Sequence, residues 1–280
     1  MRVAHSLASS PLQFVSLPAM KDLVVVITGA SSGIGAALAE LIGQRGGKPV
    51  LLARRAAELA EVAARSGPHA LAVTTDVTQR ADVQRALDQA LARFGQIDVW
   101  VNNAGRGITR PVAELTDQDF DEMMLVNVKS ALYGMQAVLP HFKQRGRGHI
   151  INVSSMLGRV PFAPIRSAYS ASKHALNSLT ANLRMELREL PGIHVSSVHP
   201  GVVATEFGVR ALHGGIDSRL LPGAQSAQEV AVVIADTIEK PRADVYTRPE
   251  GQRVVADYYA APDMAEAEAR FAMGPVRPVK

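Results

Sequence analysis

The feature that most constrains this chain is a repeated exchange of short apolar, β-branched runs with stretches of helical periodicity. The runs LVVVIT (23–28), PVLLA (49–53), ALAVTT (70–75), DVWVNN (98–103), HIINVS (149–154), HVSSVH (194–199) and the shorter ADVYT (243–247) read as strands. Between them, 34–45, 56–65, 79–94, 116–145, 169–190 and 227–239 read as helices. A parallel neighbour is reached only by a crossover, so strands that alternate with helices pair in parallel. Their near-continuous apolar character fits strands covered on both faces. The expectation is an α/β chain: a doubly wound, mostly parallel seven-stranded sheet in a three-layer αβα sandwich, forming a single domain over residues 21–250. A length of 280 residues with 47% apolar side chains is compatible with one such unit.

The flanks follow other rules. Residues 1–20 carry one arginine, no acid and no sustained apolar block, so they are expected to be a loosely held extension, with Met20 a candidate alternative start. The segment 204–226 breaks the alternation with Gly208, Gly214, Gly215, Pro222 and Gly223, and is expected to be a mobile excursion near a ligand. The tail 251–280 receives no assignment. The absence of cysteine excludes disulfides and thiolate chemistry, and the eight histidines show no ligand spacing, so no metal is expected. The net charge of +4 comes without a dense basic run, which argues against a nucleic-acid partner. No apolar run approaches the roughly 18 residues of a membrane span. The expected location is the cytoplasm.

Three local patterns carry chemistry. In VVVITGASSGIGAALAEL a strand passes through a turn with Gly29, Gly33 and Gly35 into a helix. Such glycines let backbone N–H groups approach a pyrophosphate at a helix N-terminus, although the spacing departs from G-x-G-x-x-G and a purely structural turn is the competing reading. Tyr169 and Lys173, four apart, share one face of a helix. Asn127 falls in the stripe Phe120, Met124, Asn127, Ala131, Gly134, Val138 and, if buried there, needs polar partners.

TGASSGIG (28–35), NNAG (102–105), NVSS (152–155), YSASK (169–173) and PGVVAT (200–205), taken in order, resemble the short-chain dehydrogenase/reductases over roughly residues 21–247. The resemblance implies a Rossmann-like fold and an oxidoreductase that interconverts a carbonyl compound and a secondary alcohol. It implies a nicotinamide cofactor held by Gly29, Ser31, Ser32, Gly33, Ile34, Gly35, Asp76, Val77, Asn103, Ala104, Gly105, Pro200, Gly201, Val203 and Thr205, together with Tyr169 and Lys173. Asp76 would meet the adenine, with a helix N-cap as its structural alternative. By the same resemblance Tyr169 is the general acid for reduction and base for oxidation. Lys173 lowers its pKa and holds the ribose. Ser155 bonds the substrate oxygen, with Ser154 competing, and Asn127 bends its helix and binds a water in the proton chain. An ammonium about 4 Å from a phenolate, at an effective dielectric of about 20, is worth about 4 kcal/mol, or roughly three pKa units downward. Ser170, Ala171 and Ser172 would keep the helix from crowding the cofactor.

The second strand ends in Ala53, Arg54 and Arg55 where an acid would favour NAD(H). A guanidinium there pairs with a 2′-phosphate, so NADP(H) is expected over NAD(H), with Arg54 ahead of Arg55. Substrate would be gripped by Ser155, Met156, Leu157, Pro161, Phe162, Tyr169, Glu206 and Phe207. Arg106 and Arg166 could meet an acidic group but are expected to be exposed. A homo-oligomer, tetramer or dimer, is implied by the resemblance, with Met123, Met135 and the leucine-rich 176–190 helix as its face. The alternative function is an NADP(H)-binding sensor or scaffold without turnover, against which the complete proton chain speaks.

Overall fold

The computed structural model describes residues 20–271; of the expected loose extension 1–20 only Met20 is described, and it is held in the core with Val25 and Ile42, while residues 1–19 and the last residues of the tail lie outside the described part. Seven strands, β1 (Val24–Thr28), β2 (Lys48–Ala53), β3 (Leu71–Thr74), β4 (Val99–Asn102), β5 (Gly148–Val153), β6 (Ile193–His199) and β7 (Asp244–Tyr246), form one sheet in the order β3-β2-β1-β4-β5-β6-β7. Every pairing is parallel. The order reverses between β1 and β4, and at such a switch point a crevice opens at the carboxyl ends of the strands.

The helices α1 (Gly33–Gln44), α2 (Ala56–Arg65), α3 (Arg80–Phe94), α4 (Asp117–Met124), α5 (Ser130–Arg145), α6 (Ser167–Glu186) and α7 (Ala227–Glu239) cover both faces. Val25, Ile27, Leu51, Val99 and Ile151 pack under α1, α2 and α7. Their sheet neighbours Val24, Val26, Val50, Leu52, Trp100 and Ile150 pack under α3, α5 and the end of α6. Both sets are buried, which is why the strands read as unbroken apolar runs.

The expected helix 116–145 is not continuous. It divides into α4, a π turn over Leu125–Lys129, and α5. One extra residue in the turn rotates the faces, so the stripe read at regular helical spacing fails at its start, where Phe120 is 44% exposed. Met123 and Met135 are buried in the interior rather than on a surface, so they supply no face for a partner. The tail, unassigned from sequence, folds into α8 (Gly251–Tyr259) and α9 (Met264–Phe271), and Tyr258 and Ala267 pack on Val160. The excursion 204–226 is tied to the loop after β4: Thr109 N donates to Leu212 O at 3.0 Å, Leu212 N to Gly107 O at 2.9 Å, and Thr109 Oγ1 to Gly214 O at 2.6 Å.

Candidate active site

The glycine turn is fitted to the chain around it. Gly29 has φ 69° and a Cβ there would lie 2.9 Å from Ala104 Cα; one on Gly35 would lie 2.5 Å from Gly29 O and 2.7 Å from Asn103 Nδ2. Thr28 fastens the two loops, its Oγ1 accepting from Asn103 N and Ala104 N, each at 2.9 Å, while Asn103 Nδ2 donates to Thr28 O. Across the crevice Thr205 approaches Gly33, where a Cβ would stand 3.3 Å from Thr205 Cγ2. Gly35→Val is therefore expected to cost about 1–3 kcal/mol of stability, since backbone cannot yield as a side chain does. A shift of the urea midpoint measures it, and an unshifted midpoint would mean that the turn has slack.

Behind the turn, Arg55 Nη2 donates to Ser31 Oγ and Ser32 Oγ, both at 2.8 Å, while its Nη1 meets Glu58 at 3.2 Å. Arg54 is exposed. Asp76 accepts from Thr78 N and Thr78 Oγ1 through one oxygen, and the N-cap of α3 is Gln79, so Asp76 is not the cap of that helix.

Asn127 sits within the π turn and is buried. Its Oδ1 accepts from Arg106 N at 2.8 Å; its Nδ2 donates to Arg106 O at 2.9 Å and to Ser172 Oγ at 3.0 Å. Ser172 in turn donates to Tyr169 O at 2.7 Å. Ser172 is thus an anchor for Asn127 rather than a spacer. Ser170 and Ala171 line an outer groove with Pro111 and His174, because successive helical residues turn by about 100°.

Lys173 is buried, and its Nζ donates to Val153 O at 2.8 Å and stands 5.7 Å from the centre of the Tyr169 ring. Burial, with no carboxylate near, holds its pKa down at about 8. Burial pushes the Tyr169 phenol above its ordinary value, and the Ser155 hydroxyl and the Arg166 charge oppose that without overcoming it. The downward displacement expected from a close charged Lys173 is therefore not what this geometry gives: desolvation dominates, and the ammonium is turned to a carbonyl. Gly105 leaves room beside Asn127 and Lys173, since a Cβ there would lie 3.1 Å from Asn127 Oδ1 and 3.6 Å from Lys173 Nζ.

Ser155 begins a short turn in which its Oγ accepts from Leu157 N at 3.1 Å, and it faces Tyr169. Ser154 Oγ points to the backbone of α6 at Lys173 O, 3.5 Å away. The expected substrate residues divide. Leu157 and Phe207 pack with Tyr169, and the Phe207 ring meets it edge-on at 5.4 Å. Met156 and Phe162 pack instead with Val160 and Tyr258 beneath the C-terminal helices. Pro161 is exposed and Glu206 is half-buried, engaged by Arg210. Arg106 and Arg166, expected on the surface, are both half-buried: Arg106 pairs with Glu122, and Arg166 reaches back to Ile108 O.

The family description short chain dehydrogenase matches residues 23–213 of this chain. The chain belongs to the short-chain dehydrogenase/reductase family. An uncharacterised oxidoreductase of Staphylococcus epidermidis is 36% identical over 197 residues, covering 68% of this chain and 85% of that protein. Among solved structures, a short-chain dehydrogenase/reductase of Burkholderia phymatum in complex with NAD superposes with a TM-score of 0.78 at 29% identity, over 93% of this chain and 99% of that one. A short-chain dehydrogenase of Burkholderia cenocepacia in complex with NADP gives 0.76 at 29% identity, over 92% and 100%.

Two parts of this dehydrogenase site were not legible from spacing. Trp100 Nε1 donates to Asn102 Oδ1, Asn102 Nδ2 to Asn152 Oδ1, and Asn152 Nδ2 to Thr180 Oγ1, each at 2.8 Å, a buried polar chain that locks β4, β5 and α6 together. Behind Ser155, His199 is fully buried, stacks on Tyr246 at 5.0 Å and stands 3.4 Å from Asp244, which also pairs with Arg159 at 2.8 Å. The asparagines ending two strands were the available signal for the first; for the second, the position of His199 directly before Pro200 at the end of a strand was the one local mark. Among the described residues no group of side chains could hold a metal ion, and no helix is long and apolar enough to cross a membrane.

Proposed function

We propose that the protein is an NADP(H)-dependent oxidoreductase interconverting a carbonyl compound and a secondary alcohol. The observation that carries this reading is the convergence of Ser155, Tyr169, Lys173 and Asn127 beside a glycine turn whose every added Cβ would meet backbone or a facing side chain. That cradle fits a dinucleotide: Gly29, Ser31, Ser32, Gly33, Ile34 and Gly35 would take the pyrophosphate at the N-terminus of α1, and Asn103, Ala104 and Gly105 would border the nicotinamide half. Asp76 and Val77 would flank the adenine; Pro200, Gly201, Val203 and Thr205 would close the opposite wall. When bound, the cofactor supplies or accepts the hydride.

The remaining chemistry is the chain's own. In reduction Tyr169 gives its proton to the developing alkoxide, Ser155 donates a hydrogen bond to the same oxygen, and Lys173, fixed by Val153 O, stands in reach to stabilise the phenolate left behind. Asn127 holds the Arg106 backbone and Ser172, and so fixes the height of α6 against the loop after β4. The hydrophobic contact of Phe207 and Leu157 with Tyr169 keeps water from the phenol. A homo-oligomer in the cytoplasm completes the reading.

NADP(H) is favoured because Arg54 and Arg55 follow β2 where an acid would favour NAD(H); Arg55, which reaches the hydroxyls of the glycine turn, would meet a 2′-phosphate there, with the exposed Arg54 as the other candidate. Arg55→Ala is expected to raise the KM for NADPH about 10- to 100-fold and to leave that for NADH nearly unchanged, the worth of one charge-assisted contact. Equal effects on both cofactors would assign Arg55 to the turn alone. The function itself is tested by following nicotinamide absorbance with a carbonyl panel under NADPH and NADH in parallel. NADPH binding without oxidation by any carbonyl would leave a sensor or scaffold as the function.

A further inference from the structure

Arg166 is a seated guanidinium without a counter-ion. It borders the N-terminus of α6, one turn before Tyr169, at a helix end whose first turn carries no acidic residue and whose dipole disfavours a cation. It is half-buried, and burial works against its charge. Among the described residues the guanidinium makes one hydrogen bond, from Nη1 to Ile108 O at 3.1 Å, and no carboxylate pairs with it. The neighbouring acids are already engaged: Glu122 with Arg106, Asp119 with Arg110 and His213, and Glu206 with Arg210. Lys173, the other cation beside Tyr169, likewise faces only a carbonyl.

The position is built rather than incidental. A Cβ on Gly107 would lie 3.1 Å from Arg166 Nη1 and 2.9 Å from Phe207 Cε1, and one on Gly215 would lie 3.2 Å from Arg166 Nη2. Glycines from two distant loops thus make room for the guanidinium next to Phe207, and Phe207 rests on the Tyr169 ring. An arginine presents five donors in a planar fork matched to an oxyanion, and here most of them are uncommitted.

We propose that Arg166 binds an oxyanion of the substrate, so that the compound turned over at Tyr169 is a keto acid, or a ketone bearing a phosphate, and its hydroxy counterpart. The assignment rests on the oxidoreductase reading above. In reduction the bound cofactor would supply the hydride to the carbonyl carbon, Tyr169 would give its proton to the oxygen and recover one from solvent, and the oxyanion would stay bound to Arg166 unchanged.

The test uses the full-length protein with excess reduced cofactor and three matched series: keto acids of graded length, their methyl esters, and ketones carrying a phosphate. One of the anionic series is expected to exceed the esters in kcat/KM by about tenfold or more, the worth of one charge-assisted contact, and comparison of the two identifies the oxyanion. Arg166→Met is expected to raise the KM for that anion by about tenfold or more, and to lower kcat/KM for the anion by more than for the ester, because any effect of the lost charge on Tyr169 falls on both alike. Arg166→Lys, which keeps the charge and loses the fork, should retain part of the preference and stands in if the methionine variant does not fold. Equal turnover of anions and esters, or equal losses on both in the variants, overturns the role of Arg166 and leaves the oxidoreductase reading intact. Failure of every series in the wild type, with cofactor bound, overturns that reading itself.

Discussion

Tyr169→Phe is expected to fold and to bind cofactor as the wild type does, and to lose about two to four orders of magnitude in kcat. The ring is what the fold uses: it packs with Ile108, Met123 and Ala168 and meets Phe207 edge-on at 5.4 Å, contacts that phenylalanine keeps. The hydroxyl, which faces Ser155 just after β5, is what the proposed chemistry uses. Loss of a hydroxyl bonded to one neighbour costs about 1 kcal/mol of stability, too little to unfold the chain. Cofactor fluorescence, urea unfolding and steady-state rates therefore separate the two roles. A variant with full turnover would remove Tyr169 from the proton transfer. Because burial pushes the phenol up and a base must be deprotonated, the rate of alcohol oxidation in the wild type is expected to rise with pH toward the alkaline end of the accessible range, and that limb should vanish in the phenylalanine variant.

What the sequence made legible follows from where its signals are local. The inner strands, covered on both faces, need apolar residues and are visible as runs, whereas the edge strands β3 and β7 are short and partly exposed and give weaker runs; the glycine turn is visible because the backbone conformation at Gly29 and Gly33 excludes other residues. The π turn is hidden because Asn127 looks like any polar residue in a stripe until its three partners, Arg106, Met123 and Ser172, are brought to it from two other segments and one turn earlier. Helices α8 and α9 are hidden for another reason: α8 opens on Gly251 after Pro249 and contains Val254, Val255 and two tyrosines, a composition with weak helical preference, so tertiary packing of Tyr258 decides it. The burial of Arg166 depends on Gly107 and Gly215, far apart in sequence, and no window around residue 166 contains that information.

Lys173→Met is expected to abolish most activity and, at neutral pH, to stabilise the protein. The lysine is buried, has Val153 O as its bonded partner and no carboxylate among the described residues, and its pKa falls from 10.5 to about 8. A folded-state value below the unfolded one means that unfolding takes up a proton between those limits. The penalty of keeping the ammonium inside is therefore complete below about pH 8 and is relieved as pH rises toward 10.5. The interval corresponds to about 3 kcal/mol, and loss of the bond to Val153 O returns about 1 kcal/mol of it at every pH. The variant should thus be about 2 kcal/mol more stable than wild type near neutrality and should lose that advantage by the alkaline end of the window, where the wild-type lysine is neutral. Urea unfolding of both proteins at several pH values reads the difference directly, other titrating groups cancelling between them. A difference that stays flat with pH would mean that Lys173 carries no such penalty. A falling one would show that the group proposed to stabilise the Tyr169 phenolate is held at a cost to the fold, so that the proposed activity and stability oppose each other at this one side chain.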